Sequence, residues 1–158
     1  MQTIVDISDA KVSADPADTL VTYSLGSCIG VAVYDPAARV AGLLHCQLPT
    51  GTMDPAKAAG RPAMYADTGL AHLMKLMAAR GASPRRLQVR LAGGAQMFDD
   101  GGVFSIGKRN HAAVRKALWQ HGLMVAAEAV GGSSPRTMYV GVADGQVSLR
   151  TGTVTTTL

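Results

Sequence analysis

The chain has 158 residues, of which 47% are hydrophobic and 16% are charged, so it is expected to fold into a globular protein and not to be disordered. This length predicts a single domain spanning residues 1–158. The net charge is only +4 and the basic residues are spread along the chain, so no nucleic-acid-binding surface is predicted.

The sequence also favours a reducing cellular compartment outside the membrane. The chain has two cysteines, Cys28 and Cys46, which suits a protein with free thiols. Its first residues lack the basic start and apolar core of a signal peptide. No apolar run approaches the ~20 residues needed to cross a bilayer. A cytoplasmic protein that is not embedded in a membrane is therefore expected.

The first third of the chain reads mostly as β structure. Residues Gln2 to Ile7 predict a short strand, Lys11 to Asp18 a loop, and Thr19 to Tyr23 a second strand. Two apolar runs follow, Ile29 to Tyr34 and Val40 to Leu44, and a short connection separates them. This pattern predicts a β-hairpin.

The turn of this hairpin predicts its register. Asp suits the first position of a type I turn and Pro the second, so Asp35 to Ala38 is expected to form the turn. Cys28 would then lie directly opposite His45, with both side chains on one face of the pair. Cys46 would face the other way, which makes a disulfide between the two cysteines unfavourable.

A thiol beside an imidazole is a reactive pair. The imidazole can accept the thiol proton, and such a pairing is expected to lower the pKa of Cys28. Gly26 and Ser27 precede the cysteine and are predicted to help bind the substrate. Gly26 permits a sharp bend and a close approach, while backbone N–H groups near Cys28 could stabilise an oxyanion. A single buried Cys or His is more often structural. Because Cys28 and His45 are expected directly opposite each other, a functional role is favoured.

The middle of the chain predicts two helices around one strand. A mobile loop is expected over Pro49 to Gly60, a helix over Pro62 to Arg80 and a strand over Leu87 to Ala92. Asp99-Asp100 reads as a solvated turn and not as a metal site. The second helix is expected over Lys108 to His121.

The end of the chain returns to β structure. Strands are predicted over Met124 to Val130, Thr137 to Val142 and Val147 to Arg150, followed by a frayed tail over residues 151–158. Many strands with two helices predict an α/β sandwich of mixed sheets, with both helices packed on one side.

Several ordered motifs resemble the CheD family of chemoreceptor glutamine deamidases, over about Thr19 to Arg150. The motifs are Leu25-Gly26-Ser27-Cys28, Tyr34-Asp35-Pro36, His45 ahead of Leu48-Pro49, Gly93 to Phe98, Ile106 to Asn110, and Gly131-Gly132 through Arg136-Thr137. The sequence departs from the family at Ser133-Ser134-Pro135, where the loop often carries Asn or Gly.

The resemblance implies a Cys–His–Thr catalytic site, a three-layer α/β/β sandwich, and no metal or organic cofactor. Members of the family deamidate glutamines in the cytoplasmic part of bacterial chemoreceptors, and some bind the phosphatase CheC. The family Cys and His match Cys28 and His45. The family Thr lies six residues before the Cys, which is Thr22, and its expected role is to hold the imidazole in one tautomer.

Three alternatives remain open from the residues. The same Cys–His pair would serve a cysteine peptidase or a transglutaminase, which differ in the acyl acceptor. A non-catalytic module that regulates a CheC-type phosphatase would not need Cys28. A metal site formed by Cys28, His45 and Cys46 is disfavoured, since the two cysteines are expected on opposite faces.

Overall fold

Two stacked five-stranded sheets form most of the protein in the computed structural model, which describes residues 1–96 and 105–158. The strands are β1 (Gln2–Ile4), β2 (Asp9–Ser13), β3 (Thr19–Leu25), β4 (Ile29–Asp35), β5 (Val40–Cys46), β6 (Gln88–Gly93), β7 (Val125–Val130), β8 (Arg136–Gly141), β9 (Val147–Thr151) and β10 (Val154–Thr157). The helices are α1 (Pro55–Gly60), α2 (Ala66–Ala79) and α3 (Ile106–Gln120). The predicted turn at Asp99-Asp100 lies outside the described residues.

Each sheet is antiparallel except at one pair of strands. Sheet A has the order β1-β3-β8-β9-β10, with β1 parallel to β3. Sheet B has the order β2-β5-β4-β6-β7, with β6 parallel to β7. The two sheets are therefore mixed, as the sequence predicted.

The helices and the two sheets form three layers with two apolar interfaces. Helices α2 and α3 pack on one face of sheet B through Leu70, Leu73, Met77, Val114 and Leu118. The other face of sheet B packs against sheet A, where the core includes Leu20, Leu43, Ala92, Met138 and Val140. Because β4 and β5 are covered on both faces, every one of their residues is buried. The expected α/β/β sandwich, with both long helices on one side, is confirmed.

The predicted hairpin is present, but its register differs by two residues. Asp35 pairs with Val40, and Gly30, not Cys28, lies opposite His45. Asp35 ends the first strand and accepts hydrogen bonds from the N–H groups of Ala37 and Ala38. The loop can include Arg39 because Arg39 adopts a left-handed backbone, with φ 56. A two-residue shift keeps every side chain on its predicted face.

Three elements were missed in the sequence. The predicted loop over Lys11 to Asp18 contains the end of β2, and the predicted mobile loop over Pro49 to Gly60 contains α1. The tail predicted to be frayed contains β10, which pairs with β9 across a turn where Gly152 has φ 61. Within residues 1–96 and 105–158, no helix is long and apolar enough to cross a membrane.

Candidate active site

Cys28 lies on the connection by which the chain passes from sheet A to sheet B. Three successive carbonyl groups of this connection accept hydrogen bonds from other parts of the chain. The oxygen of Gly26 accepts from the N–H of Ala95 at 2.8 Å, and that of Cys28 accepts from the N–H of Gly94 at 2.9 Å. Between them, the oxygen of Ser27 accepts from Nδ2 of Asn110 at 3.0 Å. The nucleophile candidate is therefore on a fixed backbone.

The connection packs against Gly93, the last residue of β6, and Gly94, which follows it. Both glycines have positive φ, at 109 and 61. A Cβ placed on Gly93 would lie 2.1 Å from the carbonyl oxygen of Cys28, a distance that no side chain could tolerate. The two glycines therefore let the backbone after β6 come close to the nucleophile connection.

Thr22 and His45 meet in the layer between the two sheets. Thr22 belongs to β3 of sheet A, just before an irregularity in the β3–β8 pairing at which Ser24 has φ 55. His45 belongs to β5 of sheet B. The Oγ1 of Thr22 lies 2.7 Å from Nδ1 of His45, and both residues are buried.

The hydrogen bonds of Thr22 determine the tautomer of His45. The Thr22 hydroxyl donates its single hydrogen to the carbonyl oxygen of Val5 at 2.7 Å. It can therefore only accept from His45, whose Nδ1 must carry the proton. Nε2 is then the unprotonated nitrogen. It is buried, and no hydrogen-bond partner contacts it among the described residues.

Burial keeps the imidazole neutral. It lowers the pKa of His45 from 6.5 to about 4, although the negative charge of Asp6 acts in the opposite direction. A neutral imidazole with a free Nε2 lone pair is a base that can accept a proton.

Cys28 lies diagonally from His45 along the hairpin and not directly opposite it. It faces the layer between the sheets and is 9% exposed. Burial raises the pKa of the Cys28 thiol, and a hydrogen bond from its own backbone N–H partly opposes this rise. The lowered pKa expected from the sequence is thus wrong for the protein without substrate, because the desolvation of the thiol dominates. The resting pair is a neutral thiol and a neutral imidazole.

The second cysteine points to the opposite side of sheet B. Cys46 packs in the helix-facing core, and its Sγ donates to the carbonyl oxygen of Ile29 at 3.6 Å. Burial raises its pKa to about 12, with a smaller contribution from Cys28. No group of three or more metal-ligating side chains is arranged around a common point in the described parts of the chain.

Asn110 contacts the site, although it was not predicted as a site residue. It belongs to the inner stripe of α3, together with Gly107, Val114, Ala117 and Leu118, and its exposed fraction is 0%. Besides Ser27, its Nδ2 donates to the carbonyl oxygen of Gln47 at 2.9 Å. The signal in the sequence was a lone polar residue within an apolar helical stripe.

The chain is similar to proteins of one family over nearly its whole length. The family model described as CheD chemotactic sensory transduction matches residues 47–151. A protein of Solibacter usitatus, named "Probable chemoreceptor glutamine deamidase CheD", is 47% identical over 149 residues, covering 94% of this chain and 88% of that relative. A similarly named protein of Anaeromyxobacter dehalogenans is 43% identical, covering 94% of this chain and 93% of that relative. Another, of Syntrophus aciditrophicus, is 42% identical, covering 93% of this chain and 92% of that relative.

These matches extend well beyond the catalytic candidates. The family model begins after His45, but the Solibacter match covers 94% of the chain and therefore includes the segment from Thr22 to His45. A match of this identity and coverage shows common membership. The chain therefore belongs to the CheD family.

Proposed function

We propose that this protein converts glutamine side chains of bacterial chemoreceptors to glutamate, with Cys28 as nucleophile, His45 as base and Thr22 as the residue that orients His45. The observation that carries the proposal is the chain of hydrogen bonds from His45 Nδ1 to Thr22 and on to Val5, which leaves Nε2 free as a base. The names of the relatives supply the substrate class.

The first step forms a thioester. As the glutamine carboxamide arrives, Nε2 of His45 accepts the proton of Cys28, and the sulfur attacks the carboxamide carbon. A C–S bond forms and the carbonyl oxygen becomes negative. The backbone N–H of Cys28 contacts the sulfur, and we assign to it the stabilisation of this oxyanion. The tetrahedral intermediate then collapses, the C–N bond breaks, and the imidazolium donates its proton to the leaving ammonia.

The second step restores the enzyme. His45 is neutral again and accepts a proton from water, which attacks the thioester carbon. The C–S bond breaks, the thiol recovers its proton from His45, and the glutamate side chain leaves. The overall reaction consumes one water and releases one ammonia, so no atom changes its oxidation state.

The neutral resting state suits this sequence of steps. Because the pKa of His45 is lowered to about 4, the imidazole is available as a base throughout the neutral range. Its protonation during the attack is then favoured by the charge of Asp6 and by the developing thiolate and oxyanion.

The location and the partner belong to the same proposal. A chemoreceptor glutamine on the cytoplasmic side of the membrane requires a cytoplasmic enzyme, and the two free cysteines are consistent with that location. We also propose that a CheC-type phosphatase binds this protein where the organism supplies one. Co-purification of the two proteins would test this.

The test is intact-mass spectrometry of a folded cytoplasmic chemoreceptor fragment after incubation with the protein. We expect a gain of about one mass unit per modified glutamine together with the release of ammonia. Cys28→Ala should abolish both signals, whereas Cys46→Ala, which removes the thiol on the other side of sheet B, should retain them.

Other outcomes would point to the alternatives. Backbone cleavage would indicate a peptidase, and crosslinking to an added amine a transglutaminase. An unchanged fragment with the wild-type protein would contradict the deamidase proposal. If the Cys28→Ala variant still regulates a CheC-type phosphatase, the non-catalytic module would then be favoured.

A further inference from the structure

We propose that Asn110 is a positioning residue for the reaction at Cys28: its side-chain amide ties the backbone before the thiol to the backbone after His45. This inference rests on the proposed function, since it concerns the same Cys–His pair. Asn110 is not expected to contact the substrate.

The amide joins the two strands at the point where their own pairing stops. The last pair of the β4–β5 ladder is Ile29 with Cys46. The next pair would be Cys28 with Gln47, but the N–H of Gln47 donates to Met64 and the oxygen of Cys28 accepts from Gly94. The two strands therefore stop pairing at Cys28, although His45 is still paired with Gly30.

Asn110 replaces the missing ladder bonds. One Nδ2 atom donates to the oxygen of Ser27 at 3.0 Å and to the oxygen of Gln47 at 2.9 Å, which uses both of its hydrogens. Ser27 directly precedes Cys28, and Gln47 lies two residues after His45. The amide thereby limits how far the thiol-bearing and imidazole-bearing segments can move apart.

The same contact orients the backbone N–H of Cys28. In a trans peptide the N–H points opposite to the carbonyl of the preceding residue. Holding the Ser27 oxygen towards α3 directs the Cys28 N–H away from the helix. This N–H is the group proposed to stabilise the oxyanion.

The helix that carries Asn110 is itself fixed on the site. A Cβ placed on Gly107, one turn before Asn110, would lie 2.6 Å from the oxygen of Gly94 and 2.8 Å from that of Ala95. Gly94 and Ala95 are the residues that bind the carbonyls of Cys28 and Gly26. The backbone of α3 and the nucleophile connection therefore share one support.

Packing alone does not account for an asparagine here. Its Oδ1 is buried and has no hydrogen-bond partner among the described residues. A buried unsatisfied acceptor costs about 1–3 kcal/mol, a cost that an apolar side chain in the same stripe would avoid. The two donated bonds are what an apolar side chain could not provide.

The test uses Asn110→Asp, which keeps the shape of the side chain but replaces the donor group by an oxygen. Asn110→Ala is the second variant if the aspartate variant does not fold. Val114→Ala is the matched control, since Val114 is buried one turn further along α3 and belongs only to the apolar core. Thermal unfolding of each variant sets a temperature at which all are folded.

Two readouts separate positioning from general destabilisation. We expect Asn110→Asp to lower kcat on the chemoreceptor fragment by about 10-fold to about 100-fold, with KM within about twofold of wild type, because misplaced reacting groups lower the rate without weakening remote binding. Without receptor, alkylation of Cys28 by iodoacetamide at neutral pH should slow by at least about fivefold, because proton transfer to His45 is impaired.

The alkylation readout does not depend on the deamidase proposal. Slower alkylation in Asn110→Asp than in Val114→Ala supports the positioning role, even if the wild-type protein does not deamidate the receptor. Equal losses of kcat in the two variants, or alkylation of Asn110→Asp at or above the wild-type rate, would overturn it.

Discussion

Replacing His45 with glutamine should remove a large pH dependence of the stability. The imidazole is 4% exposed, and burial lowers its pKa from 6.5 to about 4. In the unfolded chain it should titrate near its usual value of ~6.5. Between these two values the unfolded chain binds a proton that the folded protein does not. The free energy of unfolding must therefore fall as the pH falls through this window.

The size of the effect follows from the two pKa values. Each unit of difference corresponds to about 1.36 kcal/mol, so the complete shift is worth about 3 kcal/mol. Between about pH 7 and about pH 4.5, integration of the proton difference gives a loss of about 2 kcal/mol for the wild-type protein. His45→Gln should lack this loss, so its stability curve should be flatter by that amount.

Urea unfolding followed by circular dichroism at several pH values measures this difference. The pH series stops at about 4.5 so that Asp35 contributes little to the measured change in stability. Arg86 lowers the pKa of Asp35, and the stabilisation by this carboxylate is therefore lost only at more acid pH. His121→Gln, at the exposed end of α3, controls for the loss of one imidazole. If both variants flatten the curve equally, or if neither does, the assignment of a buried neutral His45 is refuted.

Three further changes test the site. Iodoacetamide at neutral pH should label Cys28 well before Cys46, because Cys46 is fully buried and its pKa is raised to about 12. Peptide mass spectrometry measures the two rates, and equal labelling would contradict this expectation. Thr22→Ala should lower kcat by about 10-fold to about 100-fold by releasing the Nδ1 of the catalytic imidazole, while Cys28→Ala should abolish turnover; a fully active Thr22→Ala would remove the threonine from the site. Gly93→Ala should lower the free energy of unfolding by more than about 3 kcal/mol, since its Cβ would clash with the Cys28 carbonyl. Gly81→Ala, where φ is also positive but nothing lies within 4 Å, should cost only about 1 kcal/mol in urea unfolding, and equal losses would rule out the clash.

The elements with continuous apolar runs or clear helical stripes could be predicted from the sequence. The strands of the hairpin begin where they were expected, at Ile29 and Val40, because central strands covered on both faces contain almost only apolar residues. The register could not be obtained in the same way. It depends on the left-handed backbone of Arg39, and an arginine gives no signal for that conformation.

The missed elements lack an apolar pattern of their own. The strand β10 is exposed at all four positions and consists mainly of threonine, so it resembles a polar tail. Helix α1 has six residues and buries only Ala58, which leaves no stripe to recognise. Strand β2 lies at the edge of sheet B and carries Asp9 and Lys11, residues that also suit a loop.

The site was accessible from the sequence to different degrees. Cys28 and His45 were found because the hairpin puts them on one face, a property that survives the two-residue error in register. Thr22 came only from the family resemblance, since its contact with His45 crosses from one sheet to the other. Asn110 was missed because its partners are backbone carbonyls, which have no residue-specific signature.

The contact between Thr22 and His45 also has a consequence for the order of events during folding. Thr22 is carried by sheet A and His45 by sheet B, so neither sheet alone can orient the imidazole. The site can form only after the two sheets have docked. A newly synthesised or partly unfolded chain would carry an ordinary thiol, and during refolding catalysis should return after the secondary structure.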